Sequence, residues 1–194
     1  MADDAHSDLA DRLRAQPTLT GVAPPLDVQA LPSDPVALFV EWLDLAISDG
    51  VAEPHAAVLA TVDADGVPDA RTLILKDVDA RGWAFASTRS SRKGAQLSAH
   101  PVAALSFWWP SQVRAVRVRG RVVEASAEES AADFARRSAA ARDGVTEGDW
   151  TLWRLQPARI EFWQGAADRN HTRIVFERGP DGTLVRARSE EKTA

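Results

Sequence analysis

Apolar positions along the chain change their period, and the changes mark out its elements. Between Asp34 and Gly50 the spacing is helical. Asp34-Pro35 supplies an N-cap and a first helical residue, the helix runs to Ser48, and Gly50 stands just past its end. Phe39, Trp42, Leu43, Ala46 and Ile47 fall on one face, which predicts a packing helix. From Ala56 the period shortens towards two. Strands are expected at Ala57–Val62, Arg71–Lys76, Trp83–Ser87, Val102–Trp109, Val113–Ala125, Trp153–Trp163 and Arg169–Glu177, with a short last one at Leu184–Arg188. Asp63–Gly66 and Asp77–Gly82 are turn chemistry, Pro110 ends a strand, and Gly120 marks a bend or bulge. Two helices interrupt the strands. One is capped by Ser90 or Ser91 and runs to His100; the other spans Ala127 to about Ala141, with Ser126 as cap and Glu129 three residues on. Six or more strands at hairpin spacing, with helices between them, predict an α+β protein: mainly β with flanking helices, an antiparallel barrel rather than a doubly wound sheet.

Residues 1–33 mix charge, alanine and prolines, among them Pro24, Pro25 and Pro32, and predict a partly flexible arm in which Asp8–Arg14 has the composition of a short helix. The folded domain is expected over 34–188, followed by a charged tail at 189–194. With 194 residues, 45% of them hydrophobic, the chain can bury a substantial core. A net charge of −5 gives no support to nucleic-acid binding as the main task. The absence of cysteine excludes disulfides, thiolate metal sites and a cysteine nucleophile. His6, His55, His100 and His171 lie far apart and none pairs at metal-ligand spacing, so no metal is expected. The acidic N-terminus lacks a basic-then-apolar signal and no apolar run reaches membrane-spanning length; a cytoplasmic protein with no membrane association is expected. No Gly-rich dinucleotide fingerprint, Walker loop or nucleophile elbow is present.

The candidate chemistry concentrates between Arg71 and Lys93. A strand with a cation at each end, Arg71 and Lys76, is followed by a hairpin and then by Ser90-Ser91-Arg92-Lys93 at a helix start. That layout gathers Arg71, Arg92, Lys93 and free backbone donors near one helix N-terminus, the geometry an anionic phosphate prefers. Solvated surface cations are the plainer reading of the same residues.

Leu59-Ala60-Thr61-Val62-Asp63 with Gly66 and Pro68, then Arg71–Lys76, then Ser90–Leu97, then Ile160–Arg173 (IEFWQGAADRNHTR) occur in this order, and together they resemble the FMN-dependent pyridoxine/pyridoxamine 5′-phosphate oxidases over roughly Val58–Arg178. The resemblance implies a six-stranded antiparallel split β-barrel homodimer with two FMN sites in clefts between the subunits. It implies that the strand Arg71, Thr72, Leu73, Ile74, Leu75 and Lys76 lies along the flavin, and that Ala86 and Ser87 stand at flavin-contacting positions. Arg92 and Lys93 match the cations on the FMN phosphate, while Trp163 and Arg173 match late flavin contacts. Arg169 and His171 match the catalytic, substrate-side pair, His171 being the candidate for proton handling, and Lys76 is also placed to touch substrate. A lone histidine is more often structural, and a lone tryptophan such as Trp163 equally fills core.

The departures from the family pattern are as informative. A Gln that follows an Arg in the family is replaced in the pair Arg114-Ala115. The family's substrate-phosphate clamp of Tyr, Arg and Ser reads Asp133, Arg137 and Ala141 here. Arg137 then either holds a substrate anion or pairs with Asp133 at i,i+4 spacing. Between Ala141 and Trp150 a short loop stands where the family usually inserts a helix, and the family's closing Arg-Leu-x-Pro is replaced by the charged tail. Three functions are therefore expected to compete. The first is an FMN oxidase of a small, phosphorylated pyridine substrate with oxygen as acceptor. The others are an FMN oxidase of a reduced, phenazine-like aromatic and a non-catalytic flavin-binding protein.

Overall fold

The computed structural model describes residues 2–187, with side chains from Asp8 onward; the His6 side chain and Arg188–Ala194 lie outside the described residues. Among the described residues eight strands occur in chain order: β1 (Ala56–Val62), β2 (Pro68–Asp79), β3 (Gly82–Thr88), β4 (Val102–Trp109), β5 (Arg114–Glu124), β6 (Trp150–Gln164), β7 (Thr172–Arg178) and β8 (Leu184–Arg186). They form one antiparallel sheet in the order β3-β2-β1-β4-β5-β6-β7-β8. The N-terminal half of β6 also pairs with β3, Trp83 to Leu155 through Thr88 to Trp150, and this closes the first six strands into a barrel. The C-terminal half of β6 carries β7, from Arg159 opposite Glu177 to Gln164 opposite Thr172. The expected six-stranded barrel is thus present, extended by a two-stranded flap.

A bulge in the β5–β6 ladder between Arg119 and Gly120 re-aims β6 between its two partners. A Cβ on Gly120 would sit 2.0 Å from the Gln156 carbonyl oxygen, so only glycine permits this backbone approach. Arg117, Arg119 and Arg121 are exposed on β5 while Arg114 is buried, so the four do not make one stripe.

Helix α1 (Ala2–Arg14) begins the arm, and α2 (Pro35–Ser48) packs into the barrel. The Asp34 carboxylate accepts from the Val36 amide at the start of α2. Leu38, Phe39, Trp42 and Ala46 are buried on α2, and Phe39 sets its ring edge-on to Trp83 (5.7 Å) and Phe107 (5.1 Å). Ile47, expected on the packing face, is instead 56% exposed, and Leu38 takes its place in the core. The arm lies along the domain from Val22. The Val22 amide donates to the Ser111 carbonyl, the carbonyls of Pro24 and Val28 accept from Gln164 and Arg186, and Leu26 and Leu31 pack on the core.

Helix α3 (Arg92–Ala99) is capped by Ser91, and α4 (Ala127–Ala135) by a full capping box of Ser126 and Glu129. The helix expected to reach Ala141 stops at Ala135. Beyond Phe134 no large apolar residue ties it to the sheet, and Ser138 caps a separate turn, α5 (Ala139–Arg142). Among the described residues no helix is long and apolar enough to cross a membrane.

Candidate functional site

Alternation along β2 splits its residues between two environments. Arg71, Leu73 and Leu75 are half-buried, whereas Thr72, Ile74 and Lys76 are exposed on the outer face. The β2–β3 register shifts between Leu75 and Asp77, which leaves Lys76 at an irregularity of the ladder.

Arg71 is the centre of a polar cluster under α3. Its guanidinium donates to Thr61 Oγ1 (2.5 Å) and Gln96 Oε1 (2.9 Å) and lies 2.8 Å from Asp69 Oδ2. Gln96 Nε2 donates to Asp69 (3.1 Å), and Arg92 Nε lies 3.0 Å from the same carboxylate oxygen. The Gln96 bond, Arg71, the Ala70 amide and Arg92 together hold the Asp69 carboxyl below the usual carboxylate range against the opposing effect of burial. Thr61 and Gln96 are buried, and sequence reasoning missed both as functional residues. Their signal was polar residues at core-facing positions, Thr61 at the end of a strand and Gln96 beside Leu97. Lys93 follows Arg92 in the first turn of α3, and burial together with the charge of Arg71 pushes its ammonium pKa down. Arg71 and Arg92 both pair with the Asp69 carboxylate while Lys93 feels the charge of Arg71, so this end of the barrel keeps an excess of positive charge beside a helix N-terminus. The donor set suits a phosphate.

Ser87 is buried and its hydroxyl accepts from Trp153 Nε1 at 3.2 Å, while Ala86, half-buried, stands opposite Leu152. Neither side chain presents a polar group to the outer face of β2.

A second group gathers on the β6–β7 hairpin. Trp163 packs against His171 with ring centroids 5.0 Å apart, and on its other side against Trp108 at 6.1 Å. Ala115 stands between Trp108 and Trp163 in the register, and Trp108 is 50% exposed. A Cβ on Gly165 would fall 2.5 Å from Val113 Cγ1 and 2.8 Å from the Trp163 ring, so glycine there lets the indole fold back. His171 Nδ1 accepts from the Ala166 amide at 3.0 Å, which leaves Nε2 as the N–H of the neutral ring. Arg169 is exposed on the hairpin tip and adopts φ +65°, a left-handed conformation uncommon for a residue with a side chain. Arg173 stands opposite Trp163 and reaches Glu161 at 3.5 Å. Burial opposes ionisation of Glu161, but Arg117, Arg173 and Arg159 together hold its carboxyl below the usual range.

In the third group the i,i+4 pair, one of the two alternatives for Arg137, is not formed. Arg137 lies beyond the end of α4 and does not pair with Asp133; both converge on Trp150. The guanidinium carbon of Arg137 lies 3.9 Å over the Trp150 ring while Nη2 donates to the Ala141 carbonyl at 2.6 Å. Trp150 Nε1 donates to Asp133 Oδ2 at 2.8 Å. The early end of the helix explains the change, because the i,i+4 relation needs a continuous helix.

Arg114 is buried over Trp42 (4.1 Å) and donates to Gln164 Oε1 at 2.7 Å. Burial pushes its pKa down to about 10, opposed by Asp49, so it remains a cation at neutral pH. Within one chain, then, Arg71, Arg92 and Lys93 come together, as do Trp163, His171 and Arg173. Along the sheet order β1, β4 and β5 stand between the two groups, and across the barrel seam β3 stands between β2 and the N-terminal half of β6.

The family model described as pyridoxamine 5′-phosphate oxidase matches residues 43–164, and the pyridoxine 5′-phosphate oxidase C-terminal dimerisation region matches residues 150–188. The chain is similar to the pyridoxine/pyridoxamine 5′-phosphate oxidase of Cupriavidus necator, with 39% identity over 180 residues spanning 77% of this chain and 85% of that protein. The corresponding enzyme of Hyphomonas neptunium is 40% identical over 182 residues, spanning 77% and 83%. Among solved structures, PhzG from Burkholderia lata in complex with tetrahydrophenazine-1-carboxylic acid superposes with a TM-score of 0.78. It shares 24% identity and the match covers 87% of this chain and all (100%) of that one, a likeness of fold.

Proposed function

The chain belongs to the pyridoxine/pyridoxamine 5′-phosphate oxidase family of FMN-binding split-barrel proteins, and on that premise we propose that it oxidises a pyridoxine- or pyridoxamine-phosphate-like substrate with oxygen as acceptor. The observation that carries the reading is the positive cluster of Arg71, Arg92 and Lys93 at the start of α3, which suits the FMN phosphate. The chemistry that bound FMN would supply is acceptance of a hydride equivalent from substrate, with return of the electrons to oxygen. The exposed face of β2, with Thr72, Ile74 and Lys76, is available to the flavin ring, and Lys76 would stabilise negative charge gained there. Leu73 and Leu75 face the other side of that strand, and Ala86 and Ser87 lie on the neighbouring strand β3. On the hairpin, Trp163 would stand against the flavin, Arg173 would add a cation, and Arg169 and His171 would meet substrate. The His171 atom available to hold or move a proton is Nε2, because Nδ1 is engaged by the Ala166 amide.

We propose that a site using both groups is assembled across two copies of the chain, in keeping with the match of residues 150–188 to a dimerisation region. The register aligns Thr72, Val58, Ser106 and Arg117, and beside them Ala70, Ala60, Ala104 and Arg119, into a face of largely small side chains across β2-β1-β4-β5. Val58, Ile74 and Trp108 are exposed on the same sheet. We assign this face to a homodimer in which the β6–β7 hairpin of one copy meets the β2 strand of the other.

The purified protein is expected to show the visible absorption of oxidised flavin and to release a chromophore with the mass of FMN. Anaerobic pyridoxamine 5′-phosphate should bleach the spectrum and air should restore it. A flavin that no vitamer reduces would overturn the substrate assignment. A second reading draws on Asp133, whose carboxylate holds the Trp150 indole N–H while Arg137 lies over the same ring, so that a phosphate brought to Arg137 would meet a like charge. Bleaching by a reduced tricyclic aromatic, with no response to the vitamer phosphates, would select that reading instead.

Lys93 supplies a pH dependence. Its folded pKa is below the ordinary lysine value, so in the window between the two the unfolded chain binds more protons and the cofactor-free protein gains stability as pH rises. A bound phosphate favours the ammonium and reverses the shift. FMN binding in that alkaline window should therefore take up a proton and weaken as pH rises. Calorimetry in buffers of different ionisation heat measures the uptake, and binding with no proton uptake in K93A identifies its source.

A further inference from the structure

We propose that Asp149 is a positioning residue for the cofactor phosphate, holding in place the Thr88–Lys93 turn that presents Arg92, Lys93 and the α3 amides. The inference rests on the assignment of that turn to the FMN phosphate. Asp149 stands at the end of the short polar segment Asp143–Asp149, immediately before β6, and takes three hydrogen bonds from two consecutive residues of the turn. Its Oδ1 accepts from the Ser90 amide at 2.9 Å, Oδ2 accepts from the Ser90 hydroxyl, and its main-chain carbonyl accepts from the Arg89 amide at 2.7 Å. Arg89 is tied on the other side by Glu124 at 2.5 Å. With Ser90 occupied in this way, the neighbouring Ser91 caps the helix: its hydroxyl accepts from the Gly94 amide at 3.2 Å and donates to the Thr88 carbonyl at 2.7 Å.

The turn and helix are pressed together as one unit. A Cβ on Gly94 would lie 2.2 Å from the Arg89 carbonyl oxygen and 2.8 Å from that of Thr88, so the first turn of α3 rests directly on the backbone that Asp149 holds. A shift of Ser90 therefore carries into the direction of the helix N-terminal amides and of Lys93. Asp149 acts at one remove, through Ser90, and need not touch the cofactor. The carboxylate is matched to its donors, and the Ser90 hydroxyl and amide hold its pKa below the usual range.

The test is the ratio of affinities of the apoprotein for FMN and for riboflavin, which lacks the phosphate, each titrated by quenching of flavin fluorescence. In D149A the FMN Kd should rise roughly tenfold to a hundredfold, as expected for losing hydrogen bonds to a charged group, while riboflavin changes less than about twofold. The preference for FMN then collapses. S90A, which keeps the amide bond and loses the hydroxyl bond, should show part of the same phosphate-specific loss, and D149N should retain more than D149A. Equal weakening of both flavins would overturn the proposal and leave Asp149 as a general staple of the barrel. Unchanged affinity for both would overturn it as well. If D149A fails to fold by circular dichroism, the ratio in S90A decides alone: a reduced preference supports the proposal and an unchanged one overturns it. A wild-type protein that binds FMN no more tightly than riboflavin overturns the phosphate assignment itself, before any variant is compared.

Discussion

Replacing Arg71 with methionine is expected to weaken FMN binding by about two orders of magnitude, on the scale of charge-assisted hydrogen bonds at roughly 1.5–3 kcal/mol each. The substitution keeps an unbranched side chain of similar reach but removes the cation that acts on Lys93 and belongs to the proposed phosphate site. It also leaves Asp69, Gln96 and Thr61 without the donor that organises them. Asp69 then keeps Arg92 and adds net negative charge to an anion site. R71K is expected to recover little of the loss, because an ammonium cannot span Thr61, Gln96 and Asp69 as a planar guanidinium does. Equilibrium titration of the apoproteins is the measurement, with riboflavin as the control. An R71M protein that binds FMN within twofold of the wild type would remove Arg71 from the site.

The second large effect is on stability. F39A should lower the free energy of unfolding by about 3–5 kcal/mol, the range for truncating a buried phenylalanine. Phe39 is fully buried and touches three rings, those of Trp83, Phe107 and Trp109, which belong to strands on different sides of the barrel. Flanking α2 residues cannot fill the void, since Leu38 and Trp42 are already buried in the same cluster. A domain typically has about 5–15 kcal/mol in all, so the urea midpoint should fall by a large fraction. A shift below about 1 kcal/mol would mean that α2 contributes little to the core. I47A, at an exposed position of the same helix, is the matched control.

Most of the fold was legible because strand residues alternate and helix starts carry recognisable caps. Ser91, Ser126 with Glu129, and Asp34 before Pro35 all cap helices as their residue types predict. What escaped depends on contacts distant in sequence. The end of α4 at Ala135 is set by the lack of a large apolar residue after Phe134 and by Trp150 drawing Arg137 away, neither visible as a local breaker. The docked course of the arm depends on partners such as Gln164 and Arg186, which lie far along the chain from Pro24 and Val28. The basic residues of the candidate site were legible from their position at a strand and a helix start. Their supports were not: Thr61, Gln96 and Asp149 are common polar residues whose importance appears only when the barrel brings them to Arg71 and Ser90.

The double pairing of β6 bears on how the molecule is born. Phe85 and Trp153 are neighbours in the closed ring but lie about 70 residues apart in the chain, a long-range contact of the kind that slows folding. During synthesis β1 to β5 emerge first, and they can pair in sequence as an open, curling sheet. Until Trp150–Leu155 arrives, β3 has one free edge and the apolar face of α2, with Phe39 and Trp42, has no complete enclosure. A nascent chain halted before β6 should therefore be a substrate for chaperones, and arrival of one strand should convert it to the protease-resistant barrel. The same strand then delivers Trp163, so the barrel seam and the aromatic wall of the hairpin mature in a single event.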